Sequence, residues 1–214
     1  MQSVALIDYG SGNLRSAEKA LVKAAQDHAV AARIDVTSDP DLVARADRVV
    51  LPGVGAFAHC REQLLARPGL VEAMSEAVRS HGAPFLGICV GMQLMATRGL
   101  EFGATPGLDW IPGEVRRIAP ADPHCKVPHM GWNGLVGLSG QAVLAGVAED
   151  TPMYFTHSFA IFPERDADVI AWVDHGGRFP AAVARGNMAG VQFHPEKSQA
   201  AGLSLLARFL EWRP

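Results

Sequence analysis

An α/β fold, with a central, mostly parallel sheet covered by helices on both faces, is predicted by three features of the 214-residue chain. Short apolar runs alternate with helix-patterned stretches through the first half. One of those runs enters a Gly-x-Cys-x-Gly turn followed by further helical pattern. The second half, from about residue 107 to 185, is rich in Gly and Pro and adds short strands, read as extra antiparallel ones. Strands joined through helices run parallel, and a parallel sheet needs cover on both sides.

The elements follow in order. Val4-Ala5-Leu6-Ile7 is an apolar run of strand length, closed by the turn-forming Asp8-Tyr9-Gly10-Ser11-Gly12-Asn13. Leu14 to Gln26 has helical spacing, with Leu14, Ala17, Leu21 and Ala24 on one face. Val30–Val36 is a weaker strand. Arg48–Leu51 is a third strand, ending at Pro52-Gly53-Val54-Gly55, and helical stretches follow around Cys60–Leu65 and Leu70–Ser80. Pro84–Ile88 is the fourth strand. In the second half, strands are expected near Glu114–Ile118, Met153–Phe155, Val169–Val173, Ala181–Ala184 and Val191–Phe193, and a closing helix over Ala200–Glu211. No linker separates the halves, so residues 1–214 are expected to form one domain.

About half the residues are apolar, enough for a sizeable core. The formal net charge of −3, without a long basic run, argues against nucleic-acid binding. The first apolar run is too short for a signal-peptide core, and nothing approaches the roughly 20 apolar residues of a membrane span. A cytoplasmic protein is expected. Cys60, Cys89 and Cys125 cannot all pair within one chain and match no zinc spacing, so at least one thiol is free.

Pro84-Phe85-Leu86-Gly87-Ile88-Cys89-Val90-Gly91-Met92-Gln93 has the form strand, Gly-x-Cys-x-Gly, helix, which is a nucleophile elbow carrying Cys in place of Ser. Side chains at positions 87 and 91 would crowd the turn. The helix start beside Cys89 favours thiolate, and the Val90 amide points where an oxyanion would form. The bland alternative is a small buried Cys among packing glycines. Cys60 and Cys125 lack such a setting and read as structural or incidental.

A thiolate nucleophile needs a group that shuttles protons. Gly190-Val191-Gln192-Phe193-His194-Pro195-Glu196 delivers His194 at a strand end, with Glu196 two residues on along a segment read as extended. On such a segment both side chains lean to one side, so the carboxylate can orient the imidazole. The alternative, a metal-binding fragment, has no second cluster to complete it; neither metal nor cofactor is expected.

These segments together resemble the class I (triad-type) glutamine amidotransferases, and the likeness covers nearly the whole chain. Leu86–Gln93, Pro52–Gly55, Lys126-Val127-Pro128-His129-Met130-Gly131-Trp132-Asn133, Tyr154–Phe159 and Phe193–Ser198 are similar to one branch, the glutaminase subunits of imidazole glycerol phosphate synthase. The resemblance implies a flavodoxin-like fold and a Cys89–His194–Glu196 triad. It implies an oxyanion hole from the Val90 amide and a backbone amide of Gly53-Val54. Gly55, Gln93 and the backbone of His157-Ser158-Phe159 would hold L-glutamine. Asn13, Trp132 and Lys197 would lie near a partner face.

Gln93 as a solvated helix residue, Pro52–Gly55 as a plain turn and Trp132 as core are the competing readings. Phe159 stands where relatives often carry Tyr, so a hydroxyl role there would be lost. The partner implied is a (β/α)₈-barrel cyclase subunit, forming a heterodimer that makes imidazole glycerol phosphate and the carboxamide nucleotide of purine synthesis. No phosphate-cradling motif in this chain suggests an acceptor site of its own. Two rivals stay open: the same chemistry with another acceptor, as in the glutaminase of pyridoxal phosphate synthase, and an inactive docking module.

Overall fold

A computed structural model describes all 214 residues. The first half runs β1 (Gln2–Ile7), α1 (Leu14–Asp27), β2 (Ala32–Thr37), α2 (Pro40–Ala44), β3 (Arg48–Gly53), α3 (Phe57–Leu65), α4 (Leu70–Ser75) and β4 (Phe85–Cys89). Past the cysteine come the single-turn α5 (Val90–Gln93), the two-residue strands β5 (Arg98–Gly99) and β6 (Thr105–Pro106), then β7 (Gly113–Arg117) and β8 (His129–Val136). The chain finishes with β9 (Pro152–His157), β10 (Phe159–Pro163), β11 (Val169–Asp174), β12 (Arg178–Arg185), β13 (Met188–Val191) and α6 (Gln199–Glu211).

Nine strands form one sheet in the order β2-β1-β3-β4-β13-β12-β11-β8-β9. The five strands from β2 to β13 are parallel. From β13 onward each neighbour is antiparallel, so the short strands of the second half extend the main sheet. β10, β7, β5 and β6 make a second, four-stranded sheet.

The chain moves one way from β1 to β2 and the other way from β3 through β4 to β13. Right-handed crossovers in opposite directions put their helices on opposite faces. Accordingly α1 packs with α6, while α2, α3 and α4 pack among themselves. Ala17, Leu21 and Ala24 of α1 are buried as their spacing requires, and Leu14 packs partly against the core. β3 and β4 are buried at every position, as central parallel strands are. The strand order reverses between β1 and β3. The loops at the carboxyl ends of β1, β3, β4 and β13 meet beside that reversal, where α/β sheets bind their ligands.

Several expectations shift. The helix predicted to run to Ser80 is α-helical only to Ser75 and continues as a π-turn over Glu76–Ser80. The final parallel strand stops at Val191, short of the expected Phe193. α2, β5, β6, β8 and β10 were not anticipated.

Candidate active site

Cys89 ends β4 at φ 55° and ψ −111°. A non-glycine residue in that region costs on the order of 1–3 kcal/mol and persists only where its surroundings hold it. Here the elbow's own backbone does so. A Cβ on Gly91 would lie 1.8 Å from the Leu51 carbonyl oxygen, and one on Gly87 would lie 2.7 Å from the Gly91 carbonyl oxygen and Met92 nitrogen. Both glycines let the turn fold back against β3 and itself. The expected helix follows Cys89 and is short. α5 is one turn, because the Leu94, Met95 and Ala96 carbonyls accept from the Leu108, Trp110 and Asp109 amides of a crossing loop. The predicted dipole assistance to the sulfur is therefore confined to the free N–H groups of a single turn.

His194 follows β13 in extended backbone, its N–H donating to the Tyr154 carbonyl at 2.9 Å and its carbonyl accepting from Ser198 Oγ at 2.7 Å. Pro195–Lys197 form a 3₁₀ turn, where sequence reading expected an extended segment. That turn folds Glu196 back onto the ring. Glu196 Oε1 lies 2.8 Å from His194 Nδ1, with the two side chains only 2% and 4% exposed. With Nδ1 donating to the carboxylate, Nε2 has no hydrogen-bond partner of normal geometry and faces the Cys89 sulfur. Burial disfavours the His194 cation. The hydrogen bonds and charges of Cys89 and Glu196 outweigh it and push the ring up to about 9.

An open cleft of about 540 Å³ lies over these groups. It brings together Cys89, His194, Val90, Val54, Gly55, Gln93, His157, Ser158 and Phe159, all anticipated, with Asn13 and Lys197 also lining it. Glu196 sits behind His194, off the cleft wall, as an orienting group should. Glu101, Pro128 and Thr156 line the cleft and were missed. Trp132 lies outside it and is 49% exposed, which removes the core alternative. Gln93 is buried, which removes the solvated-helix alternative.

The oxyanion candidates divide. Gly53 does not line the cleft: it packs on the elbow, where a Cβ would meet the Gly91 nitrogen and the Tyr9 hydroxyl at 2.8 Å. The Val54 N–H points to Ser11 Oγ at 3.5 Å. The Val54 carbonyl accepts from Ser11 Oγ at 2.9 Å and from Cys60 Sγ at 3.3 Å. Cys60, expected to be structural or incidental, thus braces the loop that leaves β3. Burial pushes its thiol up, as it does the Tyr9 phenol, which donates to the Pro52 carbonyl at 2.8 Å. The Ser158 and Phe159 carbonyls are both taken, by the Ile118 amide at 2.9 Å and by Gln93 Nε2 at 2.9 Å. The Phe159 oxygen also has His157 Nδ1 at 2.9 Å, which fills both its lone pairs, whereas the Ser158 oxygen has one bond and a second lone pair.

A family model described as Glutamine amidotransferase class-I matches residues 5–212. Imidazole glycerol phosphate synthase subunit HisH of Caulobacter vibrioides is 63% identical over 214 residues, covering 100% of both chains. The proteins of that name from Rhodospirillum rubrum and Brucella abortus are 57% and 52% identical, covering 99% of each chain. Among solved structures, a glutamine amidotransferase superposes with a TM-score of 0.70 at 16% identity, over 97% of both chains. A glutamine amidotransferase from Thermotoga maritima gives 0.60 at 16% identity, over 91% of this chain and 76% of that one. At such identity the structural likeness establishes the fold alone. No helix is long and apolar enough to cross a membrane.

Proposed function

The chain belongs to the class I glutamine amidotransferases, and from that premise we propose that it is the glutaminase subunit of imidazole glycerol phosphate synthase, in histidine biosynthesis. The observation that carries the assignment of residues is the buried His194–Glu196 pair facing a cysteine held at positive φ on the cleft floor.

The chemistry follows from that arrangement. Cys89 Sγ attacks the side-chain amide carbon of L-glutamine, and His194 Nε2–H gives its proton to the departing nitrogen. Ammonia leaves and a glutamyl thioester remains. His194 then takes a proton from water, which attacks the thioester and releases glutamate. Glu196 holds Nδ1–H throughout and stabilises the ring's cation. Glu101, the one carboxylate lining the cleft, suits the α-ammonium of the substrate, and Gln93 meets its polar end.

The Val90 amide serves the oxyanion. The second donor is the Val54 N–H, which must turn from Ser11 to reach it. Losing one such donor costs about 10²–10³ in turnover. The free chain is therefore slow, and partner plus acceptor ligand raises turnover at least about a hundredfold by favouring the turned form.

The partner is a (β/α)₈-barrel cyclase in a heterodimer. It turns the ammonia and a phosphoribosyl-formimino intermediate into imidazole glycerol phosphate and AICAR. Its docking face on this chain is the mouth of the cleft. There Trp132 stands edge-on to Tyr154 at 5.8 Å, Lys197 Nζ lies 5.6 Å over the same Tyr154 ring, and Met130 is exposed beside them. The Asn13 side chain caps nothing on α1 and is free at that rim. The whole chain acts as one amidotransferase domain, working in the cytoplasm.

The test is Cys89→Ala in the assembled complex. Glutamine-dependent synthesis should vanish while ammonia-dependent synthesis persists, because the acceptor chemistry sits on the partner. Loss of both in a folded complex, or survival of the glutamine reaction, would overturn the assignment.

A further inference from the structure

β8 has two unlike faces. Met130 and Trp132 point outward, while His129 and Asn133 point inward, as strand alternation requires. The inward pair starts a line of hydrogen bonds whose direction is forced by its ends. Asn133 Nδ2 lies 2.7 Å from the Asp174 carbonyl oxygen, so it must be the amide's NH₂ group. It therefore also donates to His129 Nε2, at 3.2 Å. His129 Nδ1 lies 3.1 Å from His157 Nε2, and His157 Nδ1 lies 2.9 Å from the Phe159 carbonyl oxygen. A carbonyl only accepts, so His157 carries its proton on Nδ1 and accepts at Nε2. His129 then carries its proton on Nδ1 as well.

The same Phe159 oxygen receives Gln93 Nε2, which also donates to Gln192 Oε1 at 3.1 Å. Gln192 consequently turns its NH₂ toward the Cys89 sulfur, 3.7 Å away. With both Gln93 N–H groups engaged, that amide presents only its oxygen to the cleft. Flipping it would set oxygen against the Phe159 and Gln192 oxygens.

Building on the glutaminase assignment, we propose that His129 and His157 are positioning residues: their hydrogen-bonded rings run from Asn133 on the partner-facing strand to the Phe159 carbonyl and fix the orientation of the Gln93 amide that glutamine meets. Neither ring shuttles a proton in the reaction. Each is neutral and polarised one way, because burial first, and then the neighbouring imidazoles (His157 and His175 for His129, His175 and His194 for His157), disfavour its cation. His129 is held between the Phe155 and His175 rings, stacked at centroid distances of 4.7 and 4.1 Å. It has no room to exchange partners.

Two substitutions at His157 separate positioning from mere filling. His157→Asn places an amide N–H near the Nδ1 position and keeps the donor to Phe159. His157→Gln places it near Nε2 and loses that donor. In the complex with its cyclase, His157→Gln should raise the glutamine KM about 3- to 10-fold, as expected for one hydrogen bond, with kcat and ammonia-dependent synthesis little changed. His157→Asn keeps the donor to the Phe159 carbonyl but leaves His129 Nδ1–H without its acceptor, so its KM should rise less than that of His157→Gln, by no more than about threefold. Equal KM in both variants and wild type, or equal damage in both, would overturn the proposal.

Nitrogen-15 NMR of histidine-labelled wild-type chain gives a second arm that needs no variant. Both rings should show protonated Nδ1 and bare Nε2; an Nε2–H tautomer at either would overturn the chain's direction. A wild-type complex that consumes no glutamine would instead remove the glutaminase assignment beneath the proposal, while leaving the tautomers as they stand.

Discussion

Two sets of buried histidines meet at one cleft, which His194 and His157 line and behind which His129 sits against His157, and they are tuned oppositely. His194 faces the Glu196 carboxylate on one side and the Cys89 sulfur on the other, and holds its proton up to about 9 despite burial. His129 and His157 face each other, a backbone carbonyl and a side-chain amide, and burial pushes them down to about 3 and about 4. Desolvation acts against the cation in both places. A formal negative charge at hydrogen-bond distance decides the outcome, since dipoles of neutral groups do not repay the loss of water. The charged site suits proton transfer. The neutral one suits fixed direction, because a ring that never titrates keeps its donor and acceptor in place.

Removing one of the two charges that raise His194, and leaving the Cys89 sulfur in place, is the strongest way to break this contrast. Glu196→Gln leaves His194 without its carboxylate and lets the amide hold the wrong tautomer. The corresponding change in the serine-protease triad costs about 10⁴ in turnover. The loss here should be smaller, on the order of 10²–10³, because a thiolate needs less help from a base than a hydroxyl does. Glutaminase turnover by the complex measures it, and an NMR titration of His194 should show its pKa falling below about 9. Wild-type turnover would remove Glu196 from the role.

The neutral pair extends the comparison to the surface, since the strand that carries His129 inward carries Trp132 outward. Trp132→Ala should weaken partner binding by roughly 2 kcal/mol or more, as expected for an aromatic anchor, and Lys197→Ala should weaken coupling as well. Calorimetry against the cyclase, beside the stimulated glutaminase rate, reads both. Unchanged affinity and stimulation would place the interface elsewhere.

Per pH unit the effect on stability is the smallest, and the two sets should act at opposite ends of the pH scale. His194 is raised, so its contribution is complete below about 6.5, the unfolded value, and is lost as pH rises through about 9. His129 and His157 are depressed. The unfolded chain binds their protons first, so stability falls as pH drops below about 6.5 and levels toward 4 and 3. Each group contributes a slope of about 1.4 kcal/mol per pH unit within its window. Denaturant midpoints should flatten on the acid side in His129→Asn and on the alkaline side in Glu196→Gln. Slopes unchanged in both variants would undo the contrast.

The parallel half and the grouping of Cys89, His194 and Glu196 were legible because their signals are local. β4 is an unbroken apolar run, β3 is apolar from Val49 onward, and the elbow needs glycines at fixed offsets from Cys89. Glu196 reaches His194 by a different route from the one sequence reasoning supposes, a 3₁₀ turn in place of an extended segment. β8 escaped notice because Gly131 and Gly134 interrupt a strand whose inward face carries the polar His129 and Asn133 and turns apolar only at Leu135. β5 and β6 are too short for any period to show. Asp39-Pro40 did carry a start signal for α2, with Asp39 Oδ1 accepting from the Asp41 amide at 2.9 Å, but five residues leave no periodicity behind it. Glu101 and the bracing of Val54 by Ser11 and Cys60 depend on residues that only the fold brings together.

The most direct test of the central claim, that Cys89 carries the glutamyl group, is rapid acid quenching of the complex during glutamine turnover, followed by peptide mass spectrometry. The account predicts a glutamyl adduct on the peptide bearing Cys89, in thioester linkage, that chases to free glutamate when glutamine is withdrawn and is absent in Cys89→Ala. A turning-over complex with its adduct on another residue, or with undiminished glutamine hydrolysis in Cys89→Ala, would contradict it.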